Sequence, residues 1–318
     1  MTLKSEIKRA DPVEFGRLKG CTLSYGGAFN AMAMLESLGR DPGNLAEQVN
    51  ERVYRRYLSL GRRCVLFTLE LREEHCRIES GTELNPQEAG QALDMLYLLL
   101  GLDQPLEDFY RLVAPHPVMG PLAKKLHGVR MPHVPSLWEA VCWAVIGQQI
   151  NLPFAYLLRN RLIAVANGHE FPGDDAGGLL LPFPGPRQVL AVREEQWRAA
   201  KFSRAKSGYL QGLARAFADE EISAESIAAM DDAQAEQTLL GVRGLGPWSA
   251  GYIMSRGLGR LDFFPVGDAG LKASLKHFFA LNEAPGIREQ KALMEPLRPY
   301  RGLATYYLWK GLGMEREG

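Results

Sequence analysis

The spacing of apolar residues divides the chain into an N-terminal third with strands and a longer remainder made of helices. Alternating strand-forming residues predict three strands, at Val53–Leu60, Arg63–Leu71 and His75–Glu79. Apolar residues at helical spacing predict helices over Gly26–Leu38 and Pro86–Leu102, on either side of these strands. The economical arrangement is a small sheet with helices packed on one face.

Helical spacing predominates from about Leu106 onward, and strand signals fade. Two of the predicted helices, Asp232–Leu240 and Trp248–Arg256, are separated only by a short turn that contains glycine. The stretch 168–186 is rich in Gly and Pro and is predicted to be a surface loop. The pattern therefore predicts a small α/β unit followed by a larger helical unit.

Composition narrows the class of protein without naming a function. The 318 residues allow two or three domains, and the 37 basic and 37 acidic residues exclude a generally basic nucleic-acid binder, although a local patch can still bind DNA. The four cysteines form no CxxC pair, which disfavours an iron–sulfur or cysteine-ligated zinc site. The chain has neither a membrane-length apolar run nor a secretion signal over residues 1–20, so a cytoplasmic location is expected.

The most informative stretch is the turn between the two predicted helices. Gly244 and Gly246 allow a tight turn, and Pro247 suits the first position of the second helix. Unpaired N–H groups and the positive end of the helix dipole would bind a phosphate there. An ordinary connection with two structural glycines explains the same residues, so this motif alone does not establish DNA contact.

A second feature is Asp268, which an apolar loop containing Pro and Gly delivers to the start of the next helix. Aspartate is a favoured N-cap, and Leu271 and Leu275 form the predicted buried face of the helix that it would cap. Capping alone explains an isolated aspartate at this position. The cap and a catalytic role are nevertheless compatible, because a capping position fixes a carboxylate rigidly.

The order of these features resembles a known family: a helix, a Gly-x-Gly hairpin, a second helix, a Gly/Pro-rich loop and an aspartate. It is the pattern of the helix–hairpin–helix (HhH-GPD) DNA glycosylase superfamily, and within it the chain resembles the alkylation-repair branch, 3-methyladenine DNA glycosylase II. The likeness extends to Arg130-Met131-Pro132, Ile146-Gly147-Gln148-Gln149 and Phe183-Pro184-Gly185-Pro186.

The resemblance implies an α+β fold. It consists of a small antiparallel, TBP-like sheet domain followed by a mostly helical glycosylase core of two helical subdomains. Residues 1–113 would form the sheet domain, and residues 114–135 a linker that joins the C-terminal helical subdomain. Residues 136–260 would form the helical subdomain with the helix–hairpin–helix at about 232–256, and residues 261–318 the C-terminal subdomain with the aspartate.

The resemblance also assigns chemistry. Asp268 would be the catalytic carboxylate, which stabilises the positive charge that develops on deoxyribose as the N-glycosidic bond breaks. Trp248, Tyr252 and Trp309 would form the aromatic pocket that receives the flipped base. For Tyr252, a core role and a pocket role both stay open. Relatives with lyase activity carry a lysine at the position of Trp248, so a monofunctional hydrolase is expected.

The same resemblance predicts the contacts to DNA. Gln149 would sit at the wedge position, although the alkylation branch often has an apolar wedge and a polar helix end explains this residue as well. Backbone N–H groups of Gly244 and Gly246, with the hydroxyl of Ser249, would hold a phosphate. No cofactor is expected for catalysis. A monovalent cation, sodium or potassium, would bind the backbone carbonyls of Leu240, Val242 and Leu245.

The remaining charged residues near these motifs are interpreted as solvated. Asp262 and Glu283 are predicted to be surface charges, and Lys201, Arg204 and Lys206 a solvated helix face. The expected partner is damaged double-stranded DNA, bound by a monomer without membrane association. The predicted function is removal of alkylated bases of the 3-methyladenine and 7-methylguanine type. A glycosylase for oxidised bases and a non-enzymatic helix–hairpin–helix protein stay open as alternatives.

Overall fold

The computed structural model describes residues 15, 19–61, 63–173 and 178–317. Residues 174–177 of the predicted 168–186 loop, Arg62 between two predicted strands, residues 1–14 and 16–18 of the predicted first domain, and Gly318 lie outside the described residues. Among the described helices, none combines the length and hydrophobicity that a membrane crossing requires.

An antiparallel sheet of five strands, in the order β1-β5-β4-β3-β2, forms the first layer. Its strands are β1 Gly20–Ser24, β2 Glu47–Asn50, β3 Val53–Leu60, β4 Arg63–Leu71 and β5 His75–Ser80. The three predicted strands are confirmed, and they form the centre of the sheet. The two edge strands were missed, because short polar segments such as Glu-Gln-Val-Asn become strands only by pairing with a neighbour.

One face of the sheet is buried. Strand β3 alternates along its length, with Tyr54, Arg56, Leu58 and Leu60 buried. Helices α1 (Ala31–Leu38) and α2 (Pro86–Leu99) supply the other half of this core. α1 begins five residues later than predicted, because the side chain of Asn30 accepts the N–H of Ala33 and caps the helix there.

The rest of the chain is helical, as predicted. Its α-helices are α3 Leu106–Val113, α4 Met119–Lys125, α5 Leu137–Ile146, α6 Leu152–Ala166, α7 Pro186–Leu190, α8 Glu194–Ala199, α9 Arg204–Ala218, α10 Ala224–Ala228, α11 Asp232–Gly241, α12 Pro247–Tyr252, α13 Ala269–Phe278, α14 Ile287–Met294 and α15 Arg301–Glu317. A π-helical turn, Ile253–Gly257, continues α12, and a 3₁₀ turn, Glu295–Leu297, follows α14.

The buried apolar side chains of the described residues form three clusters. The first lies under the sheet, within residues 15–102, and the second holds the helices between residues 137 and 254. The third combines residues 106–131 with residues 264–308. Residues 106–113 therefore pack with the C-terminal helices, and the ring centroids of Phe109 and Tyr307 lie 4.9 Å apart. This differs from the predicted domain boundary, which assigned residues 106–113 to the sheet domain.

Buried ion pairs join the sheet to helices α5 and α6. Nη2 of Arg56 donates to Glu139 Oε2 at 2.9 Å, and Nη2 of Arg159 donates to Glu139 Oε1 at 2.8 Å. Both arginines also lie 3.3 Å from the carboxylate of Glu47. Burial alone would raise the pKa of Glu139, but the charges of the two arginines and their hydrogen bonds lower it. The ionised carboxylate of Glu139 is thus held in the interior, where it ties the sheet to helices α5 and α6.

Candidate active site

The predicted hairpin connects α11 and α12 through a short turn. α11 ends at Gly241, Val242 is extended with φ −81° and ψ 125°, and α12 begins at Pro247. Gly244 has φ +97°, and a Cβ at this position would lie 2.8 Å from the ring of Tyr209. Glycine satisfies both conditions, since it has no Cβ and adopts the left-handed region freely.

The start of α12 presents backbone donors to open space. Gly246 is the N-cap residue, and no side chain among the described residues hydrogen-bonds to the first turn as a cap. A Cβ at Gly246 would meet no atom within 4 Å. Free N–H groups at the positive end of a helix suit an anion. The backbone geometry is therefore compatible with the predicted phosphate contact.

Ser249 has a different position from the one that the sequence suggested. It is 1% exposed, and its hydroxyl accepts a hydrogen bond from Nε2 of Gln148 at 3.0 Å. The same Nε2 donates to the carbonyl of Gly244 at 2.8 Å. The prediction that the Ser249 hydroxyl contacts a phosphate is therefore wrong for this arrangement, because the side chain is turned into the protein and supports the hairpin from behind.

Asp268 is held by two hydrogen bonds at the start of α13. Its Oδ1 accepts the N–H of Leu271 at 2.8 Å, which makes it the N-cap, as predicted. Its Oδ2 accepts the indole N–H of Trp248 at 3.1 Å. The residue is half-buried, so the carboxylate is neither sealed in the core nor free in solvent. The two bonds leave the side chain a single orientation.

The loop before Asp268 is clamped between α12 and α15 at two glycines. A Cβ at Gly251 would lie 2.1 Å from the carbonyl oxygen of Phe264, and one at Gly302 would lie 2.2 Å from that of Phe263. Any larger residue would push the loop away from one of the two helices. The close approach therefore fixes the position of Asp268 relative to the hairpin.

Two aromatic side chains, Trp248 and Trp309, lie near this carboxylate, and the ring of Tyr252 packs against that of Trp248. The rings of Trp248 and Tyr252 are nearly parallel, with an interplanar angle of 12° and centroids 5.8 Å apart. Burial raises the pKa of Tyr252 to about 12, so its phenol is neutral. Trp309 is half-buried, and its indole N–H is buried with no hydrogen-bond partner among the described residues. A Cβ at Gly270 would lie 3.0 Å from Asp268 Oδ1 and 3.1 Å from Trp309 Nε1, so both residues flank Gly270.

Asp262 is not the surface charge that the sequence suggested. Its side chain is 14% exposed, and Arg301 binds both of its oxygens, at 2.9 Å through Nε and at 2.8 Å through Nη2. Arg298 adds a contact of 3.2 Å. A bidentate, partly buried pair of this kind fixes geometry as well as charge, and here it ties the loop before Asp268 to the start of α15. Glu283 is exposed, as predicted.

Gln149 lies in the turn between α5 and α6. Its side chain is exposed and its φ is +58°. This left-handed conformation costs a residue other than glycine about 1 kcal/mol, so the surrounding structure must hold it. Two exposed apolar side chains, Leu152 and Phe154, follow closely along the chain. The wedge role of Gln149 stays a prediction.

Lys206 does not belong to a solvated face. Its Nζ donates to the carbonyls of Val145, Ile146 and Gln148, at 3.0, 2.9 and 2.8 Å. Burial lowers the pKa of the ammonium, and these three carbonyls replace its hydration. The interpretation of Lys206 as solvated is therefore wrong, whereas Lys201 and Arg204 are exposed.

The predicted cation ligands are backbone carbonyls of the hairpin. The carbonyl of Val242 accepts the N–H of Leu245 at 3.1 Å, and a carbonyl has a second lone pair. Neutral carbonyl oxygens are suitable ligands for an alkali cation. The chemistry of these carbonyls is compatible with sodium or potassium, and the cation site at Leu240, Val242 and Leu245 stays a prediction.

Comparison with known proteins places the chain among repair enzymes. A model of the HhH-GPD superfamily of base excision DNA repair proteins matches residues 142–299. A DNA-3-methyladenine glycosylase of Bacillus subtilis is 34% identical over 212 residues, which cover 66% of this chain and 69% of the relative. The chain belongs to the HhH-GPD superfamily. The predicted family and the predicted enzyme class, a DNA glycosylase of base excision repair, are confirmed.

Solved structures of HhH-GPD glycosylases share the fold. A 3-methyladenine DNA glycosylase from Archaeoglobus fulgidus superposes with a TM-score of 0.76 at 20% identity, covering 91% of this chain and 97% of that one. An 8-oxoguanine glycosylase/lyase from Clostridium acetobutylicum, in complex with double-stranded DNA, has a TM-score of 0.68 at 16% identity, with 91% and 93% covered. These likenesses confirm the predicted α+β fold, and enzymes for different bases share it.

The structure brings together most of the HhH-GPD site that the sequence predicted, and it adds residues that the sequence analysis missed. Asp268, Trp248, Tyr252 and Trp309 are neighbours. Gln148 and Lys206 were not assigned to the site. A signal for Lys206 was present, since it lies four residues before Leu210 on the buried stripe of α9, where a lysine must find internal partners.

Proposed function

We propose that the chain is a monofunctional DNA N-glycosylase that removes alkylated bases, with 3-methyladenine and 7-methylguanine as representative substrates. The observation that carries the proposal is the carboxylate of Asp268, hydrogen-bonded to the indole of Trp248 at 3.1 Å, with the ring of Tyr252 nearly parallel to that indole and Trp309 on the other side of Gly270. The name of the Bacillus subtilis relative, DNA-3-methyladenine glycosylase, supports the same substrate class.

The aromatic rings suit an alkylated base in particular. A 7-methylguanine residue in DNA carries a positive charge, and a cation is attracted to the negative faces of indole and phenol rings. The base must first leave the duplex to reach them, and Gln149 would fill the gap that it leaves. The phenol of Tyr252 is neutral, so it would interact with the base through its aromatic face and not through a charge.

The chemistry follows from where charge develops. When the bond between C1′ and N9 of 7-methylguanine breaks, both electrons leave with the base, which becomes neutral, and the positive charge moves to the sugar. The carboxylate of Asp268 stabilises that charge. A water molecule then bonds to C1′ and gives its proton to the carboxylate or to solvent. A cationic base leaves readily, so this step requires no general acid.

A lyase step is not part of the proposal. The position at which lyase-type relatives carry a lysine is Trp248, whose indole has no nucleophilic amine. Substrate DNA would be held at one phosphate by the N–H groups of Gly244 and Gly246. A monovalent cation on the hairpin carbonyls would attract the same phosphate, as an anchor outside the reaction. We further propose that the protein acts as a monomer in the cytoplasm.

Release of free base tests the proposal directly. The protein is incubated with duplex DNA that contains 7-methylguanine or 3-methyladenine, and with matched duplexes that contain 8-oxoguanine or no lesion. Free methylated base is the expected product. Release of 8-oxoguanine alone would favour the oxidised-base alternative, and binding without release would favour a DNA-binding module. Borohydride treatment during turnover should trap no protein–DNA adduct, and efficient trapping would contradict the monofunctional mechanism.

A further inference from the structure

The turn that carries Gln149 has to be held in an unfavourable conformation. Gln149 has φ +58°, and its side chain is exposed. A residue that is not glycine keeps such a conformation only where its neighbours impose it. The described structure offers two sets of bonds to the residues that precede Gln149: one holds backbone carbonyls, and the other is made by the side chain of Gln148.

Lys206 supports the turn from α9. Its ammonium group donates to the last carbonyls of α5, at Val145 and Ile146, and to the carbonyl of Gln148, within 3.0 Å in every case. The carbonyls at a helix C-terminus lack partners within the helix and carry the negative end of its dipole, so they attract a cation. Lys206 therefore fixes the peptide that enters Gln149.

Gln148 connects the same turn to the hairpin. Its Nε2 donates to the carbonyl of Gly244 at 2.8 Å and to the hydroxyl of Ser249 at 3.0 Å. Ser249 is buried in the first turn of α12, three residues after the N-cap residue Gly246. A displacement of the hairpin therefore displaces Gln148, and with it the neighbouring Gln149.

We infer that Lys206 and Gln148 are positioning residues, which join the wedge turn and the phosphate-binding hairpin into one rigid element. Docking of the hairpin on a phosphate would then set the depth and direction at which Gln149 enters the duplex. This inference rests on the proposed function, because it assigns a purpose to the two residues in base flipping. Beyond that function, it states that the phosphate contact of the hairpin and the insertion of Gln149 depend on each other.

Comparison of duplex and single-stranded substrates tests the inference. A wedge is needed only where a base must be extracted from a stack, so Lys206→Met and Gln148→Met should each slow release of 7-methylguanine from duplex DNA by about tenfold or more. Release from the lesion-containing strand without its complement should change by less than about twofold, since neither substitution alters Asp268 or the base pocket. Reduced folding would lower both rates equally. The matched control is Lys201→Met, which removes the same charge from an exposed position and should leave the ratio unchanged.

A double-mutant cycle shows whether the effect passes through the wedge. Gln149→Gly removes the side chain and suits the positive φ, so it tests the wedge without backbone strain. If Lys206 acts through Gln149, Lys206→Met should cause little further loss in the Gln149→Gly protein. Independent, additive losses would overturn the proposal, and so would a parent-like ratio of duplex to single-strand rates in both methionine variants.

A measurement without chemistry separates this inference from the proposed function. A 2-aminopurine placed in a duplex becomes more fluorescent when it leaves the stack, and no bond has to break. The parent protein should produce this rise, and Lys206→Met and Gln148→Met should reduce it to the level of Gln149→Gly. A rise equal to that of the parent would contradict the positioning role. Absence of base release by the parent would instead contradict the proposed function.

Discussion

Replacing Asp268 by asparagine separates the charge of the carboxylate from its structural bonds. Asparagine caps a helix about as well as aspartate, so it can still accept the N–H of Leu271, which lies 2.8 Å away. Its amide group would then face the indole N–H of Trp248, where the carboxylate now accepts a bond of 3.1 Å. The fold loses one hydrogen bond and a favourable charge at the helix start, which together cost about 1–2 kcal/mol.

The effect on the reaction should be larger. A carboxylate about 4 Å from a developing positive charge contributes about 4 kcal/mol at an effective dielectric constant of about 20. Since about 1.4 kcal/mol corresponds to a tenfold change in rate, the excision rate should fall by about a thousandfold. This magnitude corresponds to a sugar bound about 4 Å from the carboxylate, in van der Waals contact with it.

The assay is single-turnover release of 7-methylguanine at saturating protein, together with the melting temperature. We expect Asp268→Asn to remain folded, with a melting temperature only a few degrees lower. The matched control is Asp231→Asn, the same substitution at the N-cap of α11, where the carboxylate accepts the N–H of Gln234 at 2.8 Å. That control should excise at the parent rate. A folded Asp268→Asn protein that retains more than about a tenth of the parent rate would refute the electrostatic role.

Three further predictions concern the elements around the site. Gly244→Ala should destabilise the protein by about 1–3 kcal/mol and weaken DNA binding, because φ is +97° and a Cβ would lie 2.8 Å from the ring of Tyr209. Its control is Gly246→Ala, whose Cβ would meet no atom within 4 Å and which should change the free energy of unfolding by less than about 1 kcal/mol in urea titrations. Glu139→Gln should cost about 3–5 kcal/mol, because it removes the negative charge that pairs with two buried arginines. Since the folded pKa of Glu139 is lowered, the parent protein should keep this stabilisation above about pH 4.5 and lose it as the pH falls further. Denaturation curves of the variant at the same pH values should not show this loss. Gln149→Gly should leave the melting temperature unchanged or slightly raised while it slows excision from duplex DNA, and a lowered melting temperature would show that the side chain stabilises the fold instead.

Local signals were sufficient for most elements of the fold. The central strands alternate along the chain, and helices begin at residues whose side chains accept backbone N–H groups, such as Asn85 and Ser136. Such patterns depend on neighbours within one or two turns. The edge strands at 20–24 and 47–50 have no comparable pattern, because an edge strand is defined by the strand that it pairs with.

Local sequence signals predicted only part of the candidate site. The glycine turn and the capping aspartate are local features, and both lie where the sequence predicted. The hydrogen bond between Trp248 and Asp268 joins residues 20 positions apart, and no local sequence pattern predicts it. It exists because two glycines let the loop before Asp268 pass between α12 and α15.

The sequence by itself determined the order of elements, the hairpin, the capping carboxylate and the family. Only the tertiary structure decided which polar side chains form hydrogen bonds and ion pairs inside the protein. Asp262 and Lys206 look like surface charges in the sequence, yet their partners lie 39 and about 60 residues away, and packing buries them. The physical reason is that a polar group costs free energy only when it is buried, so its role is set by which distant donors or acceptors the fold brings to it.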